Sequence, residues 1–191
     1  IALVTGVSRL QGIGRAICLE LANRGFDIFF TYWTTYDKTM PWSIEPLEPN
    51  QIQKEIEATG VRCASLELNL AIEGAVDQLI EAVRSQLGSP SALINNATYS
   101  TQTSFVDFDM NELDRHYAVN VRATTILIAK FVAQYEGSQS GRIINMSSGQ
   151  ALGPMPDELA YAMTKSAMNS LTYTLHQELA AKGITINCVN P

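Results

Sequence analysis

The chain has 191 residues, 46% hydrophobic and 17% charged, the balance of a folded core rather than a disordered segment. A net charge of -6 with scattered Lys and Arg excludes a general nucleic-acid surface, which needs a clustered positive field. No apolar run approaches the roughly 20 residues that cross a bilayer, and no leader pattern marks export, so a cytoplasmic protein that binds neither membrane nor nucleic acid is expected.

In chain order, six short β-rich apolar runs alternate with longer helical patterns. The runs are IALVT (1–5), DIFFTY (27–32), VRCASLEL (61–68), ALINN (92–96), RIINMS (142–147) and ITINCV (184–189). Helices are expected at Ile13–Asn23, Gln51–Ala58, Gly74–Gln86, Asn111–Gln134 and Glu158–Ala181. Gly25, Gly60, Gly88 and Gly183 follow four of them, where a left-handed stop is cheap for glycine. Leu171, Leu175 and Leu179 make one apolar stripe on the last helix. This alternation predicts an α/β fold: one doubly wound parallel sheet, Rossmann-like, with helices on both faces, in a single dinucleotide-binding domain over 1–191. Thr34–Asn50, with three prolines and no period, reads as a long loop, either functional or a plain surface insertion. Because Ile1 already stands inside an apolar run and Pro191 directly follows another, a fragment truncated at both ends is expected, with its C-terminal part missing.

Cys18, Cys63 and Cys188 show no paired spacing of a zinc or redox site and read as reduced core residues; no metal site is expected. His116 and His176 lie on different helices without acidic or Cys partners at ligand spacing and read as ordinary helix residues.

Three stretches carry the chemistry. TGVSRLQGIG (5–14) sits between the first strand and first helix, where glycines let the backbone approach a pyrophosphate and the helix's free N–H groups face its charge. Its glycines match neither G-x-G-x-x-G nor the triphosphate loop, so a structural turn fits it equally well in isolation. Tyr161 and Lys165 stand four apart, about 40° around a helix, so both project from one face. An adjacent ammonium favours a phenolate, which makes the pair a candidate acid-base couple as well as an ordinary surface pair. Ser147 and Ser148 end the fifth strand, on the sheet edge where open α/β folds bind ligands. Asn120, in mid-helix among Tyr117, Val119, Val121 and Leu127, either has a task or simply satisfies solvent or backbone.

Together, TG…GIG at 5–14, NNA at 95–97, VN at 119–120, MSS at 146–148, YAMTK at 161–165 and GITINCVNP at 183–191 resemble the short-chain dehydrogenase/reductase family, most of all its bacterial 3-oxoacyl-acyl-carrier-protein reductases. The resemblance implies a carbonyl reductase, or its reverse, with Tyr161 as general acid and Lys165 lowering the Tyr161 pKa and binding the nicotinamide ribose. Ser148, 13 residues before the tyrosine, would hydrogen-bond the substrate oxygen, and Asn120 would hold a water linking Lys165 to solvent. It places the dinucleotide on Gly6, Ser8, Arg9, Gly12, Ile13 and Gly14, on Tyr32 and Trp33 after the second strand, and on Asn69, Leu70, Asn96 and Ala97. Asn69 and Thr98 depart from the family's usual Asp and Gly; the Asn69 carbonyl can still reach the adenine amino group.

Arg9, and the absence of an acid after the second strand before Asp37, favour NADP over NAD. Leu10 and Gln11 lengthen the glycine loop, as in the enoyl-acyl-carrier-protein reductases, but those place lysine seven positions after the tyrosine. The expected substrate is a small ketone or alcohol, or an acyl thioester; an acidic carrier protein would need Arg122, Lys130, Arg142 and Lys182 near the cleft. The family pattern also implies a homo-oligomer, dimer or tetramer, pairing the two long helices. A non-catalytic dinucleotide sensor or interaction protein on the same fold is the rival.

Overall fold

The computed structural model describes residues 1–43, 45–137 and 140–191. Six parallel strands form one sheet in the order β3-β2-β1-β4-β5-β6. They are β1 (Ala2–Val4), β2 (Ile28–Tyr32), β3 (Cys63–Glu67), β4 (Ala92–Asn95), β5 (Gly141–Met146) and β6 (Ile184–Val189). Helices α1 (Ile13–Asn23), the short α2 (Thr34–Asp37), α3 (Glu48–Glu57), α4 (Ala75–Gln86), α5 (Met110–Tyr117), α6 (Thr124–Gln134) and α7 (Leu159–Ala180) fill the crossovers.

Strand side chains alternate between two cores, as the two-residue period of a pleat requires. Ala2, Val4, Ile28, Phe30, Ala92 and Ile94 face α1 and α3, where Cys18, Ala22, Ile52 and Ile56 form the opposing stripe. Leu3, Phe29, Leu93, Ile143 and Ile184 face α4, α6 and α7, against Leu79, Val83, Leu127, Phe131 and Leu179. Both layers are thus required by the apolar runs, and burying each large side chain contributes about 2 kcal/mol. At the sheet's edge β6 is covered on one side only: Ile184 and Ile186 are buried, while Thr185 and Asn187 are exposed.

Two expectations change. Thr34–Asn50 is not one loop, because it holds the helical turn α2 and the first residues of α3. The proline at α3's first turn has no N–H to lose there, so Glu48-Pro49 starts a helix instead of prolonging a loop. Between α5 and α6, Ala118–Ala123 winds as a π-helix, so the long helix expected over 111–134 carries one widened turn, and Asn120 lies within it.

Strand order reverses between β1 and β4, and the crevice beyond their carboxyl ends is where ligands bind such sheets. Arg142 and Lys182 sit at the amino ends of β5 and β6, on the opposite edge, so two of the four basic candidates for a carrier protein are remote from that crevice.

Candidate active site

The glycine loop is shaped by contacts that tolerate no side chain. Gly6 has φ 75°, and a Cβ there would lie 2.6 Å from the Ala97 Cα. A Cβ on Gly14 would meet the Gly6 carbonyl at 2.7 Å. Thr5 and Asn96 staple this loop to the end of β4: the Thr5 hydroxyl accepts the Asn96 and Ala97 N–H groups at 3.1 and 3.0 Å. The Asn96 amide donates to the Thr5 and Gly6 carbonyls at 2.9 and 2.8 Å. Of the two extra loop residues Leu10 is tied down too, since its N–H donates to Glu48 at 2.6 Å and Arg15, paired with Glu55 at 2.7 Å, reaches its carbonyl.

Above the loop lies a cavity of about 250 Å³. Gly6, Ser8, Arg9, Gly12, Ile13, Gly14, Tyr32, Trp33, Leu70, Asn96 and Ala97 line it, as the sequence suggests. Asn69 is not among them: its Oδ1 accepts the Ala71 N–H at 2.9 Å in a local turn, which leaves that carbonyl one further lone pair. Leu68, Tyr36, Asp37, Trp42, Tyr99 and Ser100 join the lining, supplied by the end of β3, by the segment read as a loop and by the stretch after β4. Helix α1 begins at Gly12 with no side-chain cap and no acid in its first turn, which leaves its N–H groups to an anion. This cradle fits the pyrophosphate of a dinucleotide.

Arg9 is not free in the cavity wall. Its Nε lies 3.6 Å from the buried Asp37 carboxylate, and its guanidinium covers the Trp42 ring at 4.6 Å. Trp42 donates to the same carboxylate at 3.0 Å, so α2 and the following turn fix the guanidinium in place.

The stretch 98–103 connects this cavity to α7. The Tyr36 hydroxyl donates to the Ser100 carbonyl at 3.0 Å and accepts the Ser100 N–H at 3.1 Å. Buried His116 accepts the Thr101 N–H at 3.2 Å, its other nitrogen facing the Glu112 carbonyl at 2.7 Å. Glu112 accepts from the Tyr99 and Thr101 hydroxyls. Burial by itself raises its pKa, but those hydrogen bonds and the Arg115 charge outweigh it and hold the carboxyl below its ordinary value. Thr103 caps α7 from a distance, accepting the Ala160 N–H at 3.0 Å, where that helix has no cap of its own.

Asn120 ties these parts together. Its Oδ1 accepts from Tyr99 N–H at 2.7 Å and the Thr98 hydroxyl, and its Nδ2 donates to the Tyr99 carbonyl at 2.8 Å and Thr164 at 3.0 Å. Both amide hydrogens and both carbonyl lone pairs are used, so the side chain has no group left for the water expected of it. The widened turn delivers this side chain to the loop and α7 at once, a common use of π-bulges.

On α7, Tyr161 is half-buried near Ser148, and Lys165 is 5% exposed. The Lys165 ammonium donates to the Met146 carbonyl at the end of β5 at 2.8 Å and lies 5.4 Å from the centre of the Tyr161 ring. Burial pulls the Lys165 pKa down to about 8, against a raising influence from Cys188. The Tyr161 pKa is raised, through burial first, with the Ser148 hydroxyl opposing and Glu158 adding. This reverses the lowering expected from Lys165: desolvation of the phenol exceeds any help from an ammonium that is itself desolvated and turned toward Met146. Of the two serines, Ser147 is buried and donates to Asn169 on α7 at 2.9 Å, whereas Ser148 stays on the Tyr161 side. A buried ladder, Asn95 to Asn145 at 2.8 Å and Asn145 to Thr172 at 2.9 Å, locks β4, β5 and α7 together beneath them.

His116 and Thr103 were not legible as site residues, since each acts by holding backbone far away in sequence. Arranged this way, the site presents an anion cradle joined to a protonated phenol, a hydroxyl and a desolvated ammonium, which suits proton exchange with a substrate oxygen. Among the described residues no group of His, Cys, Asp and Glu is arranged to hold a metal. Nor is any described helix long and apolar enough to cross a membrane.

The family model for short chain dehydrogenase matches residues 1–191. An uncharacterized oxidoreductase of Bacillus subtilis (strain 168) is 46% identical over 193 residues, covering 100% of this chain and 73% of that protein. A 3-oxoacyl-[acyl-carrier-protein] reductase of Staphylococcus epidermidis is 34% identical over 190 residues, with 100% and 73% covered. Among solved structures, an angucycline C-6 ketoreductase with bound NADP superimposes with a TM-score of 0.85 at 30% identity, covering 100% of this chain and 71% of that one.

Proposed function

Because the chain belongs to the short-chain dehydrogenase/reductase family of oxidoreductases, we propose that it reduces a ketone to a secondary alcohol, or runs the reverse, with Tyr161 as the proton donor. The observation that carries this reading is the grouping of Tyr161, Ser148 and the buried Lys165 ammonium at the carboxyl end of β5, on a helix that Asn120 ties to Tyr99 in the lining of the glycine-loop cavity.

The cradle at Gly6, Gly12 and Gly14 with the α1 N-terminus would hold the pyrophosphate of a nicotinamide dinucleotide, with Leu68 and Leu70 beside the adenosine. When bound, that group supplies or accepts the hydride. The protein handles the proton. Ser148 and the Tyr161 hydroxyl take hold of the substrate carbonyl oxygen, and the raised pKa keeps Tyr161 protonated at neutral pH, ready to donate. As the alcohol forms, the O–H proton of Tyr161 passes to that oxygen and negative charge appears on the phenol. The Lys165 ammonium, 5.4 Å from the ring centre, stabilises this charge, and its pKa of about 8 lets it exchange protons near neutrality. Asn120 and Thr164 keep α7 at a fixed distance from the loop that carries Tyr99.

NADP is the favoured dinucleotide, since the Arg9 guanidinium, held by Asp37 through its Nε, keeps its remaining N–H groups in the cavity wall, and the angucycline ketoreductase was solved with NADP. A plain carbonyl substrate is favoured over one on an acidic carrier protein, because Arg142 and Lys182 lie on the far edge of the sheet. The four-residue Tyr-Lys offset disfavours an enoyl reductase, and burial of an ammonium that a sensor has no use for disfavours a non-catalytic role. The chain forms a homo-oligomer through α5, α6 and α7, whose outer faces expose Met110, Tyr117, Ile126, Met163 and Tyr173; sedimentation showing a monomer at micromolar concentration would remove this assembly.

The test is consumption of NADPH and NADH with a panel of ketones by the wild type and Tyr161→Phe. Loss of about 1,000-fold or more in kcat/KM is expected in the variant, with dinucleotide binding retained. Unchanged turnover would refute the mechanism.

A further inference from the structure

Trp42 stands apart from both cores. It is half-exposed, packs with neither buried cluster, and makes its ring and polar contacts among the described residues with Arg9 and Asp37. An indole left half in water gains little from burial, so the fold itself has small need of it. All three residues line the dinucleotide cavity.

Their geometry fixes one guanidinium plane. The Arg9 Nε lies 3.6 Å from the Asp37 Oδ1, and the Trp42 indole N–H donates to that same oxygen at 3.0 Å, which brings the ring to 4.6 Å from the guanidinium carbon. A single contact at Nε would leave the plane free to turn about that edge; the ring beneath it removes this freedom. The Arg9 backbone is pinned as well, since its carbonyl accepts the Gly12 N–H at 3.1 Å and Glu48 holds the next N–H, that of Leu10, at 2.6 Å. The two Nη groups have no partner among the described residues. A fork held in this way offers an anion two parallel N–H donors without first ordering a long side chain.

We propose that Trp42 is a positioning residue that sets the preference for NADPH over NADH: stacked on the Arg9 guanidinium, it holds the Nη edge ready for the 2′-phosphate. The inference rests on the NADP reading above. Arg9 makes the contact with the phosphate, and Trp42 acts through Arg9, its own ring kept in place by the hydrogen bond to Asp37.

Calorimetric titration with NADPH and with NADH gives the ratio of the two Kd values in the wild type, Trp42→Ala, Trp42→Phe and Arg9→Met. Replacing Trp42 alters no charge beside the phosphate, so its variants report positioning without a direct electrostatic change. The preference for NADPH is expected to fall roughly 10-fold in Trp42→Ala, because binding must then order the Arg9 side chain and loses the ring on its face, while NADH affinity stays within about threefold. Trp42→Phe keeps a ring under the guanidinium and should restore most of the preference, whereas Arg9→Met should lose at least as much as Trp42→Ala. A merely structural role would weaken both dinucleotides together and leave the ratio in place, which would overturn the proposal. So would a preference in Trp42→Phe as low as in Trp42→Ala, with Arg9→Met still losing it. A wild type without preference, or one whose preference survives Arg9→Met, would remove the NADP reading and this inference with it; a preference lost in Arg9→Met but intact in Trp42→Ala removes this inference alone.

Discussion

Replacing Lys165 with Met is expected to stabilise the fold while abolishing turnover. Lys165 is 5% exposed, and burial lowers its pKa from 10.5 to about 8. At neutral pH the amine is charged in both folded and unfolded chains, so the folded state bears the full penalty, about 3 kcal/mol. Met keeps most of the stem but leaves the Met146 carbonyl without its donor, a loss of about 1 kcal/mol, so the net gain is about 2 kcal/mol. The pH dependence gives the argument its sign. Between pH 8 and 10.5 the folded amine is already neutral while the unfolded one still binds its proton, so wild-type stability rises and the variant's advantage shrinks. Urea denaturation of both proteins at pH 7 and near pH 10 measures this, with about 2 kcal/mol of the difference disappearing across the interval. A variant less stable at pH 7, or a gain independent of pH, would refute the claim that desolvation dominates at this lysine.

Gly6→Ala places a methyl 2.6 Å from the Ala97 Cα at φ 75°, and should lower stability by more than about 2 kcal/mol and abolish dinucleotide binding, measured by melting and by calorimetric titration. Tyr36→Phe removes both hydrogen bonds to Ser100; a loss of about 1–3 kcal/mol in stability and weaker dinucleotide binding are expected, read by melting temperature and fluorescence titration. Glu112, whose carboxyl is held below its ordinary pKa, contributes stability that is present above the unfolded carboxylate pKa and lost as pH falls through the folded one. Glu112→Gln should therefore flatten the acid limb of a stability-pH curve, and an unaltered limb would count against that network.

The sheet was legible because strands covered on both faces read as continuous apolar runs, and the last helix because Leu171, Leu175 and Leu179, which pack on one core, make a stripe. The glycines after helices were equally plain: Gly25, Gly60, Gly88 and Gly183 all have positive φ. The end of the 34–50 stretch was misread because its prolines look alike in sequence, although Pro49 begins a helix. The π-turn at Asn120 leaves no mark in a pattern of apolar spacing, since one widened turn shifts the register by a single residue.

By itself the amino-acid sequence picked out the residues we propose to carry the chemistry: a glycine turn after β1, Ser148 after β5, and Tyr161 and Lys165 one helical turn apart. Local spacing suffices for those, because backbone period alone sets which side chains share a face. Tertiary structure alone decided how they are tuned. Burial raised the Tyr161 pKa where proximity to Lys165 suggested lowering, because desolvation depends on everything packed around a group. It turned Arg9 onto Asp37 and Trp42, and it spent the Asn120 amide on Tyr99 and Thr164. Each of these partners lies more than 20 residues away in the chain, beyond the reach of any local pattern.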